Sequence, residues 1–139
     1  MAALTRDEGE GLSRLYVRPL LLLLLAEGPS HGYELLEQVR RAGVRNADAG
    51  GLYRSLRAME QEGLVSSWWE PSQAGPARRS YTVTSEGRRA LDGSVRSLRE
   101  VLCLVSDVVQ RHDAVAAASA EPVAVSLAEP VAVSLGVSP

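Results

Sequence analysis

Lysine is absent from the chain, which excludes the phosphate-gripping lysine of a nucleotide-binding loop. Cysteine occurs once, at Cys103, so no internal disulfide can form. The two histidines, His31 and His112, are far apart and outside any metal-ligand spacing, so no metal site is expected. Long apolar runs are missing too. The six leucines Leu20–Leu25 end at Ala26, before Glu27-Gly28-Pro29, well short of the roughly 20 residues that span a bilayer. No basic segment leads into an apolar stretch at the N-terminus, so a secretory signal is not expected, and a cytoplasmic location without membrane contact is. Neither H-E-x-x-H nor a paired-carboxylate cleft is visible, and the expectation is a binding protein, not an enzyme, with no resident cofactor.

What is present is arginine, unevenly placed. All 15 basic side chains are Arg, against 17 acids, for a net charge of −2. Residues 1–11 set Arg6 against Asp7, Glu8 and Glu10, and residues 93–139 hold three Arg against five acids. The stretch 40–89 holds nine Arg against five acids and is locally +4. An acidic chain therefore hides a basic middle, where an anionic partner is to be sought.

With 139 residues, one modest domain is expected. Residues 1–11 read as a disordered polar lead-in and 12–84 as the folded domain. Leu12–Ala26 is helical in character, with Pro19 near its first turn. Ser30 is placed to cap a second helix whose residues Leu35, Leu36, Val39 and Ala42 share one face, with Gly43 as its stop. Asp48 or Asn46 caps a third helix that runs to about Glu62. In it Leu52, Leu56 and Met59 fall within roughly 30–40° of one direction, and Gly50, Arg54, Arg57 and Gln61 point the other way. Leu64–Glu70 and Ser80–Thr84 are strand-like and flank the polar loop Pro71–Arg79. Three helices followed by a hairpin with a basic tip is the order of a winged helix-turn-helix: a mainly α fold with a small β wing.

After Thr84 or Ser85, a further N-cap, the series Leu91, Val95, Leu98, Leu102, Val105, Val109 advances by alternating fours and threes. That is a coiled-coil seam on a helix over 85–113, and it calls for a second copy of the chain. A fold-back onto Leu20–Leu25 within one subunit is the alternative. Residues 114–139 read as a disordered tail holding a tandem repeat, AEPVAVSL at 120–127 and again at 128–135. A duplication without function and a docking peptide are both open readings of it.

The chemistry suits a duplex. A helix offered to the major groove needs long, flat donors on its outer face, because base edges there present acceptors between walls of phosphate. Arg54 and Arg57 are such donors. Gly50, one turn earlier, brings the backbone close, and Tyr53 flanks the same face within reach of a phosphate. Arg78 and Arg79 stand at the root of the second strand, placed for backbone phosphates or a minor groove. Ser30 and His31, at the start of the second helix, complete the candidate DNA contacts. Trp68 and Trp69 are adjacent in a strand and point to opposite faces. One is expected in the core; the other is a packing residue or the wall of an effector pocket for a small aromatic or nucleotide-like molecule.

The segments LLLLLLAEGPSHGYELLEQV, GGLYRSLRAMEQEGLV and GPARRSYTVTSEGRRAL occur in this order over about residues 15–92. With them the chain resembles the PadR family of bacterial transcriptional regulators, and within it the small members with a single C-terminal helix. Many relatives enter the third helix through Pro-Gly-Thr or Pro-Gly-Ala; here Ala49-Gly50-Gly51 stands in that place. The resemblance implies a homodimeric winged-helix repressor, with the third helix in the major groove of a palindromic operator, the wing on the flanking backbone and the C-terminal helix making the dimer. It also implies response to a small ligand. A winged helix used for protein contact, without specific DNA binding, is the rival reading.

Overall fold

Proline sets where the first helix begins. Pro19 has no N–H to give to a preceding turn. It lies in the first turn of α1 (Arg18–Glu27), and the chain ahead of it, Ser13–Val17, is a π-helical turn. The computed structural model describes residues 13–71 and 75–136, with side chains over 15–71 and 75–120. The lead-in expected over 1–11 lies outside them.

After α1 the order is β1 (Ser30–His31), α2 (Gly32–Arg41), α3 (Ala49–Gln61), β2 (Val65–Glu70), β3 (Arg78–Val83) and α4 (Ser85–Gly136). The three strands form an antiparallel sheet in the order β1-β3-β2. The fold is the expected one, a winged helix followed by a long C-terminal helix. Some details differ from the sequence reading. Ser30 does not cap α2; it pairs with Tyr81 in the sheet, and His31 takes the cap position without a side-chain bond. A two-residue strand carries no periodic signal, so only its partner β3 reveals it. Arg78 and Arg79 likewise belong to β3 itself, opposite Glu70 and Trp69.

The core gathers Leu20, Leu21, Leu22 and Leu25 of α1, Leu35, Leu36 and Val39 of α2, Leu52, Leu56 and Met59 of α3, and Val65, Tyr81 and Val83 of the sheet. Each of these leucines contributes about 1.5–3 kcal/mol by leaving water. Ala42, expected on the buried face of α2, is exposed just beyond the helix end.

Arg18 ties the start of α1 to the end of α3, its guanidinium donating to both carboxylate oxygens of Glu62 at 3.1 and 2.8 Å. Those bonds hold the Glu62 carboxyl below the usual glutamate range. The pair therefore contributes fully above the ordinary carboxylate range, and its contribution fades as pH falls through the lowered value. Glu62→Gln should lower the urea midpoint at about pH 7, with an offset that shrinks as the pH falls below the ordinary glutamate range. An offset that does not change with pH would show that the pair is not what the substitution removes.

Thr84 starts α4. Its Oγ1 accepts from the Gly87 N–H at 3.0 Å and donates to the Gly63 and Leu64 carbonyls at 2.6 and 3.0 Å. Gly87 is buried against the residue leading into β2 and the end of β3: a Cβ there would drive into the Leu64 carbonyl oxygen and lie 2.7 Å from Val83 Cγ2. Farther on, Leu91 packs against the core, and Val95 and Leu98 are half-buried.

The chain divides into two units, Met1–Leu98 and Arg99–Pro139. In the second, Leu102, Val105 and Val109 are 64%, 53% and 52% exposed, and Leu104, Val108 and Val115 are exposed beside them. The helix also continues past residue 113, where the sequence reading ended it, and through the tandem repeat to Gly136. Alanine has the highest helix propensity, and four of them lie in Ala114–Ser119, so nothing stops the helix there. Beyond Ala120 the repeat's side chains lie outside the described residues.

Candidate nucleic-acid interface

Asp48 begins α3, its Oδ1 accepting from the Gly51 N–H at 3.0 Å. With the start set there, the helix buries Leu52, Leu56 and Met59 and leaves Gly50, Arg54, Arg57 and Gln61 exposed, as the spacing predicts. Helical side chains lean toward the N-terminus. Arg54 accordingly folds back over the first turn, with Nη1 only 3.4 Å from the place a Cβ on Gly50 would occupy. That sets a guanidinium beside amides that have no intrahelical acceptor.

Between α2, α3 and the wing lies a cleft of about 1010 Å³. It brings together six residues singled out from sequence: His31, Tyr53, Arg57, Trp69, Arg78 and Arg79. Gly50, Arg54, Ser30 and Trp68 are not among its walls. Tyr53 flanks α3 as expected, but its ring lies over α2, where a Cβ on Gly32 would come within 2.5 Å of its hydroxyl. Only glycine permits that approach. His31 Nδ1 is 3.1 Å from Ser80 Oγ across the β1–β3 pairing.

Ser30 is buried, so it has no surface on which to meet a phosphate. Residues 28–32 spell G-x-S-x-G, the letters of a hydrolase elbow. Among the described residues, however, Ser30 Oγ reaches only the His31 carbonyl, at 3.5 Å, and no base bonds to it.

The two tryptophans correct an expectation, for neither is in the core: Trp68 is 39% and Trp69 62% exposed. The inner face of the hairpin runs outward through the pairs Val65–Val83, Ser67–Tyr81 and Trp69–Arg79. By its third pair the face has left the core and entered the cleft, so Trp69 covers an arginine instead of leucines. Trp68 lies on the opposite face, across from Ser80.

The arginines divide by what holds them. Arg79 is half-buried, with its guanidinium 5.2 Å from the Trp69 ring centre and Nη2 3.8 Å from Glu60 Oε1. Glu60 in turn accepts from Ser67 Oγ at 2.6 Å. Burial pushes the Tyr81 phenol above the ordinary tyrosine range, with the neighbouring Arg79 charge opposing it. Among the described residues, Arg54, Arg57 and Arg78 make no ion pair.

Sequence reasoning missed Glu60, Tyr33 and Arg41 of the cleft. Tyr33 had a signal, being an aromatic off the apolar face of α2. Glu60 had none, because nothing in the spacing pairs positions 60 and 79. Among the described residues there is no His/Cys/Asp/Glu cluster that could hold a metal, and no helix is long and apolar enough to cross a membrane.

The model of the transcriptional regulator PadR-like family matches residues 21–93, more than half the chain, from α1 through the wing into α4. The chain belongs to the PadR-like family. That family is one of transcriptional regulators, not of enzymes. The fold is similar to that of a PadR-like transcriptional regulator from Bacillus cereus, at 24% identity and TM-score 0.65, covering 72% of this chain and 97% of that one. It is also similar to a PadR family transcription regulator from Clostridium difficile, at 25% identity and TM-score 0.60, covering 68% and 98%. A curated relative, an uncharacterized 37.1 kDa protein in transposon TN4556 of Streptomyces fradiae, is 28% identical over 106 residues. This PadR-like chain spans 30% of that relative's length.

Proposed function

We propose that the chain is a homodimeric, cytoplasmic repressor that lays α3 in the major groove of a palindromic operator and releases it on binding a small aromatic or nucleotide-like effector. The observation that carries the reading is the outer face of α3. Among the described residues Arg54 and Arg57 stand exposed and without an ion pair opposite the Leu52–Leu56–Met59 stripe, and Arg78 stands likewise on the wing. In this reading Arg54 and Arg57 read bases and Arg78 holds a phosphate. The exposed apolar residues of α4 support pairing with a second copy, which would set the two α3 helices about 34–36 Å apart, one turn of duplex.

Selection of binding sites from random-sequence duplex should return a palindrome. Titrated on that site, Arg54→Ala or Arg57→Ala should cost about 1–3 kcal/mol and relax the preference at one base pair per half-site. Arg78→Ala should weaken all duplexes alike and lower the slope of log affinity against log salt by about 0.9 per half-site. Wild-type affinity in all three variants would refute the assignment. Salt-insensitive behaviour with no duplex retained would favour a protein-contact module.

A further inference from the structure

The wing carries two adjacent arginines, yet the protein treats them differently. Arg78 is exposed, and although Glu70 stands across the ladder from it, it makes no ion pair among the described residues. Arg79 is claimed twice, by the Glu60 carboxylate on α3 and by the π face of Trp69 directly across the hairpin. Glu60 is itself aimed by Ser67, whose hydroxyl donates to its other oxygen at 2.6 Å. The chain Ser67–Glu60–Arg79–Trp69 thus bridges the recognition helix and the wing across the cleft. A carboxylate on the face offered to DNA opposes phosphate, unless its purpose is to engage the cation beside it.

We infer that Glu60 withholds Arg79 from the DNA backbone, so that it sets how strongly the wing grips duplex irrespective of sequence. This rests on the DNA-binding reading of α3 and the wing. Specificity is a difference of affinities, and every extra phosphate contact raises binding to right and wrong sites together. Glu60 is therefore a positioning and specificity-determining residue that acts through Arg79.

The counterion count tests it. Full-length protein is titrated with a duplex of arbitrary sequence, roughly 30 base pairs long, between about 50 and 200 mM salt. Glu60→Gln keeps an acceptor for Ser67 and removes the charge. It should tighten binding and steepen the salt slope by about 0.9 for each wing engaged, so that affinity falls about three- to fourfold more than wild type over that range for each wing. Arg79→Ala alone should leave the slope unchanged. The double variant Glu60→Gln/Arg79→Ala should return to the wild-type slope, which separates release of Arg79 from mere loss of a negative charge.

Unfolding midpoints of all variants check that the wing remains folded. A lowered midpoint together with weaker binding in Glu60→Gln would make the cluster a structural tie and overturn the inference. So would a steeper slope that persists without Arg79, or an unchanged slope in Glu60→Gln. If Arg78→Ala still flattens the slope in these last cases, the DNA reading survives; if no duplex is retained at all, both fall.

Discussion

Gly87→Ala should destabilise the folded protein by about 2 kcal/mol, although alanine is the better helix former. Helix propensity alone favours the substitution by about 1 kcal/mol. The new methyl, however, meets the backbone carbonyl of Leu64 and Val83 Cγ2, in a site with no flexible side chain to move aside. Overpacking of a close contact costs typically about 1–3 kcal/mol, and a backbone obstacle belongs at the upper end. The loss should extend to the Thr84 cap, whose Oγ1 accepts from the Gly87 N–H while donating to the Gly63 and Leu64 carbonyls. Thermal unfolding should show a midpoint lower by roughly 8–16 °C. A variant as stable as wild type would mean that α4 does not leave the sheet at this distance from β2.

If the proposed pairing through α4 holds, Leu102→Asp combined with Val105→Asp should give a folded monomer that no longer holds the proposed operator. Both side chains are exposed in the single chain, so a carboxylate there costs the monomer little. Across a two-fold seam, the same change brings four like charges together in place of apolar contacts. Each half-site would then bind alone, and operator affinity should fall about 10²–10⁴-fold with the loss of the linked second site. Light scattering gives the mass and the titration gives the affinity. A dimeric variant with intact binding would place the partner elsewhere.

The legible parts of this protein are those governed by local periodicity and local caps. The stripe Leu52–Leu56–Met59 forecasts its own burial, and with it the exposure of Arg54 and Arg57. Asp48 and Thr84, each one of two caps that the sequence allows, mark helix starts through bonds that span three residues, and the structure uses both. Reading failed where contact joins distant positions. Ser30 has the chemistry of a cap, but β3 lies alongside and takes it into the sheet. Trp69 alternates in phase with Val65, but whether that face is still core two pairs farther out depends on where the helices above it end.

Sequence alone determined that this chain is a winged helix with arginines on the outside of its third helix, because 3.6-residue and two-residue repeats decide which side of an element meets water. Tertiary structure alone decided which arginines remain available. Arg78 and Arg79 are neighbours with the same chemistry, and only the folded hairpin puts Trp69 and Glu60 against the second of them. Charge pairing falls off over a few ångströms, so it depends on distances that the order of residues does not contain.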